Sequence, residues 1–570
     1  MLIDLLHTPR RRIAAFFALY IAEGLPQGFV SVAIATQLRR QGVGPAEIGA
    51  FVAAFYLPWA LKWAYAPVVD VFRSQRLGHR RAWILAMQLM MVATLLAITP
   101  LPLAGGLGLV TAILVLHSIC AGIHDVAIDA MAINVLDENS RGLANGTMFA
   151  GALLGHTAGG AGVLFMLGWG VSLEMAAAMV AAAILGVTLL VVLPMRESAA
   201  AAVVTTSMAT GLRGVRDRVH LFAGHAFRAF AGNRASFRGV MFALLPAGAM
   251  ALGSPLDSNL AVEFGMSDSE FGSLKLWTQL LAVAAMVVGG WLSDRFGRRL
   301  TLAIYIVGTV VPVMWLAWVL FVHGYVMPGK PAAQAVPELI RALWLASLAY
   351  ALCVGLMYGT RVAALMDVTD PRVAAMQFTA YTSMVNFAIA FTAGWNGLAV
   401  EAWGYPATLV VDALVGLLCL MFLPAMKPPT EFTDSRSGAR ARIAALTLGL
   451  ACLSWLAYWP LRAHAGSAQP VIGSFYTLVF VASALFMLGG RAALDGSATR
   501  WLRALPWLAV LLLALYARHW IDALAAAPVL AMAAQLLLLA VPMAAGMVLL
   551  ALSRNAWAFK PVQEPAAHQS

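Results

Sequence analysis

Apolar runs of about 20 residues recur from Ile13 to about residue 552, separated by short polar breaks. That is the length an α-helix needs to cross the hydrocarbon core of a bilayer. In lipid every backbone polar group must pair within its own helix or within a closed barrel. The runs are too long and too uniformly apolar for barrel strands. The pattern therefore predicts an all-α integral membrane protein. Composition agrees: 62% of the residues are hydrophobic and only 11% charged, against roughly 25% charged in soluble domains.

The runs predict sixteen helices, at about 13–36, 46–66, 82–103, 108–133, 142–168, 172–194, 238–262, 270–292, 300–322, 339–363, 373–399, 405–425, 441–461, 471–490, 502–517 and 527–552. With the N-terminus placed inside, 28 Lys and Arg fall on the cytoplasmic side and seven on the other, with Lys62 and Arg361 inside helices. One missed helix would scramble that asymmetry, so the positive-inside rule supports both the count and cytoplasmic termini. The net charge of +11 is read the same way, and no nucleic-acid partner is expected. Cys120, Cys353, Cys419 and Cys452 all lie in apolar runs without CxxC spacing. They are expected as small core residues, not as metal ligands or disulfides. The basic cluster before the first run is compatible with a signal peptide. The run continues to about Thr36 without a clear cleavage site, so a retained first helix is expected.

The chain is expected to divide into a six-helix half over 1–194, a linker over 195–237, a second six-helix half over 238–426, and additional transmembrane helices with a tail over 427–570. In the linker, Leu212, Val215, Val219, Phe222 and Ala226 are spaced 3, 4, 3, 4, with Arg on other faces. That spacing predicts a basic amphipathic helix on the inner membrane surface.

Two inner loops repeat one pattern. PVVDVFRSQRLGHRR, with Asp70, Gly78, Arg80 and Arg81, follows helix 2; GWLSDRFGRRL, with Gly290, Asp294, Arg295, Gly297, Arg298 and Arg299, follows helix 8. CAGI at 120–123 answers CVGL at 353–356, and Asp137 answers Asp370, each pair 233 apart; Asp70 and Asp294 are 224 apart. The difference fits a longer loop between helices 9 and 10. The second loop matches in full the G-x-x-x-D-R-x-G-R-R loop of the major facilitator superfamily, which the chain therefore resembles. The first is stretched and lacks the leading Gly. The resemblance implies two parallel six-helix halves that rock about a central site, with the repeated loops latching one gate state.

Ionisable residues inside a bilayer are costly and are functional candidates by default. Ten are found: Glu23, Lys62, His117, His124, Asp125, Asp129, His156, Asp257, Arg361 and Asp412. Seven of them lie on helices 1, 4, 7 and 10, which the resemblance implies line the central cavity. Asp125 and Asp129 are four apart and share a helix face, with His124 flanking it. Like charges on adjacent turns disfavour double ionisation. That suits a proton carrier; a gate cluster neutralised by Lys62 is the alternative. Glu23, followed by Gly24 and Pro26, which can open helix 1 locally, is a second proton-coupling candidate. Arg361 forks onto carboxylates or phosphates. With Asp257 and His156 it is a substrate-binding candidate.

GLP at 24–26, LPWALKWAYAPVVD at 57–70, GHRRAW at 78–83, HDVAIDA at 124–130, RGLANG at 141–146 and AMQFTAYTS at 375–383 resemble the AmpG-like branch. That branch includes muropeptide permeases, acetyl-CoA transporters and the RhtX/FptX siderophore importers. The resemblance implicates Lys62, Asp70, Asp125 and Asp129. His124 stands where the branch usually has Gln, and Glu23 where it has a small or amide residue. The resemblance implies a proton-coupled importer of anhydro-muropeptides in a bacterial inner membrane. Such a protein takes a small-molecule substrate and protons, with no cofactor or metal. Ferric-siderophore import and a non-transporting membrane sensor or scaffold are the alternatives. No P-loop, H-E-x-x-H or G-x-S-x-G motif appears, so neither ATP-driven transport nor an enzyme is expected.

Overall fold

The computed structural model describes residues 4–72, 74, 77–135, 141–197, 234–331, 334–369, 374–426, 437–493, 505–515 and 528–554. The expected linker helix, together with Asp137 and Asp370 and the side chain of Asp70, lies outside the described residues. Those that are described are helical or form short connections, with no strand among them. Ten of the helices are long and apolar enough to cross a membrane. They correspond to helices 1, 3–6, 8–10, 13 and 14 of the expected sixteen. Of the others, helices 2 and 7 are interrupted, and both interruptions matter.

Helix 2 is cut at Leu61 into Pro45–Ala60 and Lys62–Val71, so Lys62 starts the second piece instead of ending the helix. Helix 7, expected as one span, is Arg234–Leu244, then a non-helical stretch with a single 3₁₀ turn at Ala251–Gly253, then Leu256–Glu263. Pro246 and Pro255 have no N–H to give a helix, and Gly248 takes φ +75°. The freed groups are satisfied from neighbouring helices. The N–H of Gly248 donates to the carbonyl of Gly416 at 3.0 Å, and that of Ala249 to Thr309 Oγ1 at 3.0 Å. Those of Met250 and Ala251 donate to Asp412 Oδ2 at 2.7 and 2.9 Å. Irregular backbone at membrane depth survives where freed groups find partners of this kind.

Helix 1 corrects the expectation in the other direction. It runs from Pro9 to Arg40 without opening at Gly24 or Pro26, and only widens to a π-turn at Phe29–Ile34. Starting at Pro9, it carries Glu23 about 21 Å in, still near its middle. Its glycines serve packing. A Cβ on Gly24 would collide with the carbonyl oxygen of Ala152, and one on Gly28 with that of His156. On helix 5, Gly151, Gly155 and Gly159 meet the carbonyls of Phe17, Ile21 and Leu25 in return. Small residues four apart on both helices allow backbone-to-backbone contact, the way helices associate where no hydrophobic force acts between them. The wide turn of helix 1 lies against a second one at Ala158–Gly162.

The chain divides into two compact units. The first is Met1–Val215, Phe242–Ala364 and Tyr381–Pro424 and contains most of helices 1–12. One buried core runs through it from Phe29, Phe55 and Leu114 to Phe264, Leu316 and Leu409. A second, around Phe16, Ile84, Ile128 and Met131, lies toward the face carrying the N-terminus. The other unit is Arg216–Met241, Leu365–Ala380 and Ala425–Ser570. Four of its helices, Ser437–Leu461, Gln469–Ala493, Leu505–Ala514 and Pro528–Arg554, pack around Cys452, Trp455, Met487, Leu512 and Leu549. The four cysteines are free.

Candidate functional site

Five side chains from helices 1, 2 and 4 converge in the first half. Lys62 forms an ion pair with Asp125 and reaches Asp129 at 3.4 Å. Tyr20 donates to Asp129 Oδ1 at 2.6 Å and approaches Asp125 Oδ1 at 3.5 Å. Glu23, one turn beyond Tyr20, lies beside Asp125; it is 6% exposed, and its Oε2 has no hydrogen-bond partner. The break at Leu61 gives this arrangement its reach, because it lets Lys62 begin a new helix directed at helix 4. The side chain of Asp125 is 3% exposed and that of Asp129 44%. One carboxylate is thus sealed and the other meets solvent. Among the described residues, three acids share one cation.

His124 does not join them. Its Nε2 lies 3.1 Å from Gln88 Nε2, and Gln88 Oε1 accepts from Thr188 at 2.8 Å. That chain ties helix 4 to helices 3 and 6, away from the acids. His117 does the same with Thr94, at 2.9 Å.

About 12 Å further along helix 1, Ser31 opens onto a cavity of about 100 Å³ between the two six-helix halves. Its polar lining is Ser31, Tyr56, His156, Ser254, Asp257, Lys275 and Thr392, and Val52 and Ile389 form part of its apolar lining. Asp257 and Lys275 form an ion pair. His156 Nε2 is 3.5 Å from Ser31 Oγ. Two of the three expected substrate contacts, Asp257 and His156, therefore share one cavity. The third, Arg361, does not line it. Arg361 is 7% exposed, lies 5.8 Å over the ring of Phe242, and its Nε and Nη2 have no hydrogen-bond partner.

Beyond the cavity, at the face opposite the N-terminus, the halves are closed by a buried polar knot. Arg39 donates to Glu263 Oε1 from Nε and Nη2 at 3.0 and 2.7 Å, and to the carbonyl of Val43 at 2.9 Å. Glu263 also accepts from Tyr405 at 2.5 Å, from the Gly329 N–H at 2.9 Å and from Tyr325. Arg40 pairs with Asp268 at 2.7 Å beside it.

The repeated loops lie at the N-terminal face. Gly78 and Gly297 take φ +88° and +91° and start helices 3 and 9. The N–H groups of Arg80 and Arg81 donate to Glu197 at 2.8 and 3.1 Å, and the Arg81 guanidinium to the carbonyls of Val192 and Leu193 at 3.0 and 2.5 Å. In the second half Arg299 donates to the carbonyl of Pro424 at 3.1 Å. In each half the second arginine thus holds the end of the sixth helix. Asp294 lies 3.3 Å from Arg298, and Arg295 stacks on Trp291. Gly290 faces open space, whereas its neighbour Gly289 is pressed against Leu356.

Sequence reasoning missed Tyr20, Lys275, Glu263 and the closing knot. Tyr20 was findable: it lies three residues before Glu23, on the same helix face. Lys275 lies about two turns into helix 8, Asp268–Phe296.

The profile of the Major Facilitator Superfamily matches residues 239–562, and the chain belongs to that family. With ten helices long and apolar enough to cross a membrane, it is a multi-pass membrane protein of that family. The profile described as Acetyl-coenzyme A transporter 1 matches residues 12–108. A Rickettsia conorii protein named transporter AmpG 4 is 28% identical over 27% of this chain and 38% of its own length. The anhydromuropeptide permease of Escherichia coli K12 is 26% identical over 28% and 33%. The chain thus spans less than two fifths of the length of these relatives. Among solved structures, a D-xylose-proton symporter superposes with a TM-score of 0.56 at 12% identity, covering 74% of this chain and 98% of that one. A POT family transporter in complex with 5-aminolevulinic acid gives 0.54 at 12%, covering 74% and 99%.

Proposed function

We propose that this protein is a proton-coupled importer of anhydro-muropeptides, or of solutes like them that bear an anionic peptide, across a bacterial inner membrane. The repeated loops and both termini would face the cytoplasm. The observation that carries the reading is the cluster of Glu23, Asp125 and Asp129 around Lys62. Buried carboxylates must be neutralised, and a proton is the small mobile charge able to balance those that Lys62 leaves over. Loading and release there would bias the rocking of the halves. The solute would bind in the cavity at Asp257 and His156; Arg361, which does not line that cavity, would meet an anionic group only at another stage of the passage. The Arg39–Glu263 knot would close the periplasmic side, and the repeated loops would act at the cytoplasmic one. Similarity to the anhydromuropeptide permease supports the substrate class.

The test is uptake of labelled anhydro-muropeptide into energised right-side-out vesicles, with and without an uncoupler, for wild type and Glu23→Gln. Uptake that collapses with the uncoupler and in the variant is the expected result. No uptake above control vesicles overturns the substrate and directs attention to ferric siderophores. Uncoupler-sensitive uptake that survives in Glu23→Gln keeps the substrate and moves the proton site to Asp125 and Asp129.

A further inference from the structure

An ion pair that only fastens two helices is best placed in packed protein, but Asp257 and Lys275 stand in the wall of a cavity. The side chain of Asp257 is 5% exposed and that of Lys275 21%, so a solute in the cavity can reach both. The other polar side chains of the lining are neutral or weakly basic: Ser31, Tyr56, His156, Ser254 and Thr392. Val32, Val52, Ile389 and Ala393 add apolar surface to the lining. A space of about 100 Å³ holds several waters. It suits the end of a solute, not a whole glycopeptide.

We propose that the Asp257–Lys275 pair is exchangeable and recognises a zwitterionic α-amino-acid end, its ammonium taking Asp257 and its carboxylate taking Lys275. The proposal rests on reading the protein as an importer of peptide-bearing solutes. Its physical basis is charge balance. A ligand carrying both charges replaces one buried pair with two and leaves nothing unpaired. A ligand with one charge opens the pair and strands the other partner in a buried site, which is heavily penalised. The pair therefore selects for both charges together, and the apolar part of the lining accepts the aliphatic body.

The test is calorimetric binding to the purified full chain, using leucine, N-acetylleucine and leucinamide as probes. These present both charges, the carboxylate alone and the ammonium alone. Wild type is expected to bind leucine at least ~10-fold more tightly than either blocked form. Asp257→Asn should lose the preference over N-acetylleucine, and Lys275→Met the preference over leucinamide. Equal binding of all three by wild type, or binding of none, overturns the proposal, as do single variants that keep the wild-type preference. Should the single variants fold poorly, the wild-type series decides alone. Muropeptide uptake without a leucine preference would sink this assignment and spare the proposed function. A leucine preference without muropeptide uptake would do the reverse.

Discussion

At the scale of single residues, the acid cluster depends on Lys62. Lys62→Met leaves Asp125 sealed without its cation, and breaking a buried pair costs about 3–5 kcal/mol. The expected outcome is a clear fall in the thermal midpoint of the purified protein. Lys62→Met/Asp125→Asn should regain most of it, because it also removes the stranded charge, yet it should not regain uptake. A single variant as stable as wild type would mean that Lys62 does not neutralise the acid. The sequence made Asp125 and Asp129 legible because four residues is one helical turn. It did not distinguish them from His124, because a neighbour on a helix turns away by about 100°, here toward Gln88. Tyr20 escaped notice for a different reason: an aromatic residue in an apolar run usually marks packing, and only the tertiary fold brings its hydroxyl to two carboxylates.

At the scale of elements, helix 7 is the informative case. Hydropathy averaged over 238–262 reads as one span, since backbone geometry does not enter such an average. The signals for a break were present as Pro246, Gly248 and Pro255. What could not be read was the partner that makes the break tolerable, because Asp412 lies about 160 residues away. Asp412 was expected only as an intramembrane acid, and its contacts are with freed N–H groups. Asp412→Leu orphans two buried donors, at about 1–3 kcal/mol each. Hydrogen exchange at Met250 and Ala251 should accelerate and thermal stability should fall. Unchanged exchange there would show that the stretch is held by other contacts. The two repeated loops, by contrast, were legible as a pair, and the grip of Arg81 and Arg299 on the last turns of helices 6 and 12 gives that repetition a physical use.

At the scale of the whole molecule, the knot around Arg39 and Glu263 keeps the face opposite the N-terminus shut. Sequence alone had no means to pair them, since they lie 224 residues apart on helices of different halves. Arg39→Ala leaves Glu263, whose side chain is 0% exposed, without its cation. At about 3 kcal/mol this shifts the balance toward opening on the order of 100-fold. Val52 lines the cavity, so Val52→Cys should react several-fold faster with a membrane-impermeant thiol reagent added from that face when Arg39→Ala is also present. An unchanged rate would show that the knot is not what closes it. The interlocked glycines of helices 1 and 5 bear on how any such motion is distributed. Two backbones that touch leave no slack for sliding, so this pair moves as a single beam. Glu23 and His156 are mounted on it, one on each helix. A tilt that alters the acid cluster must carry the cavity wall with it, and the proton and the solute then report to the same lever.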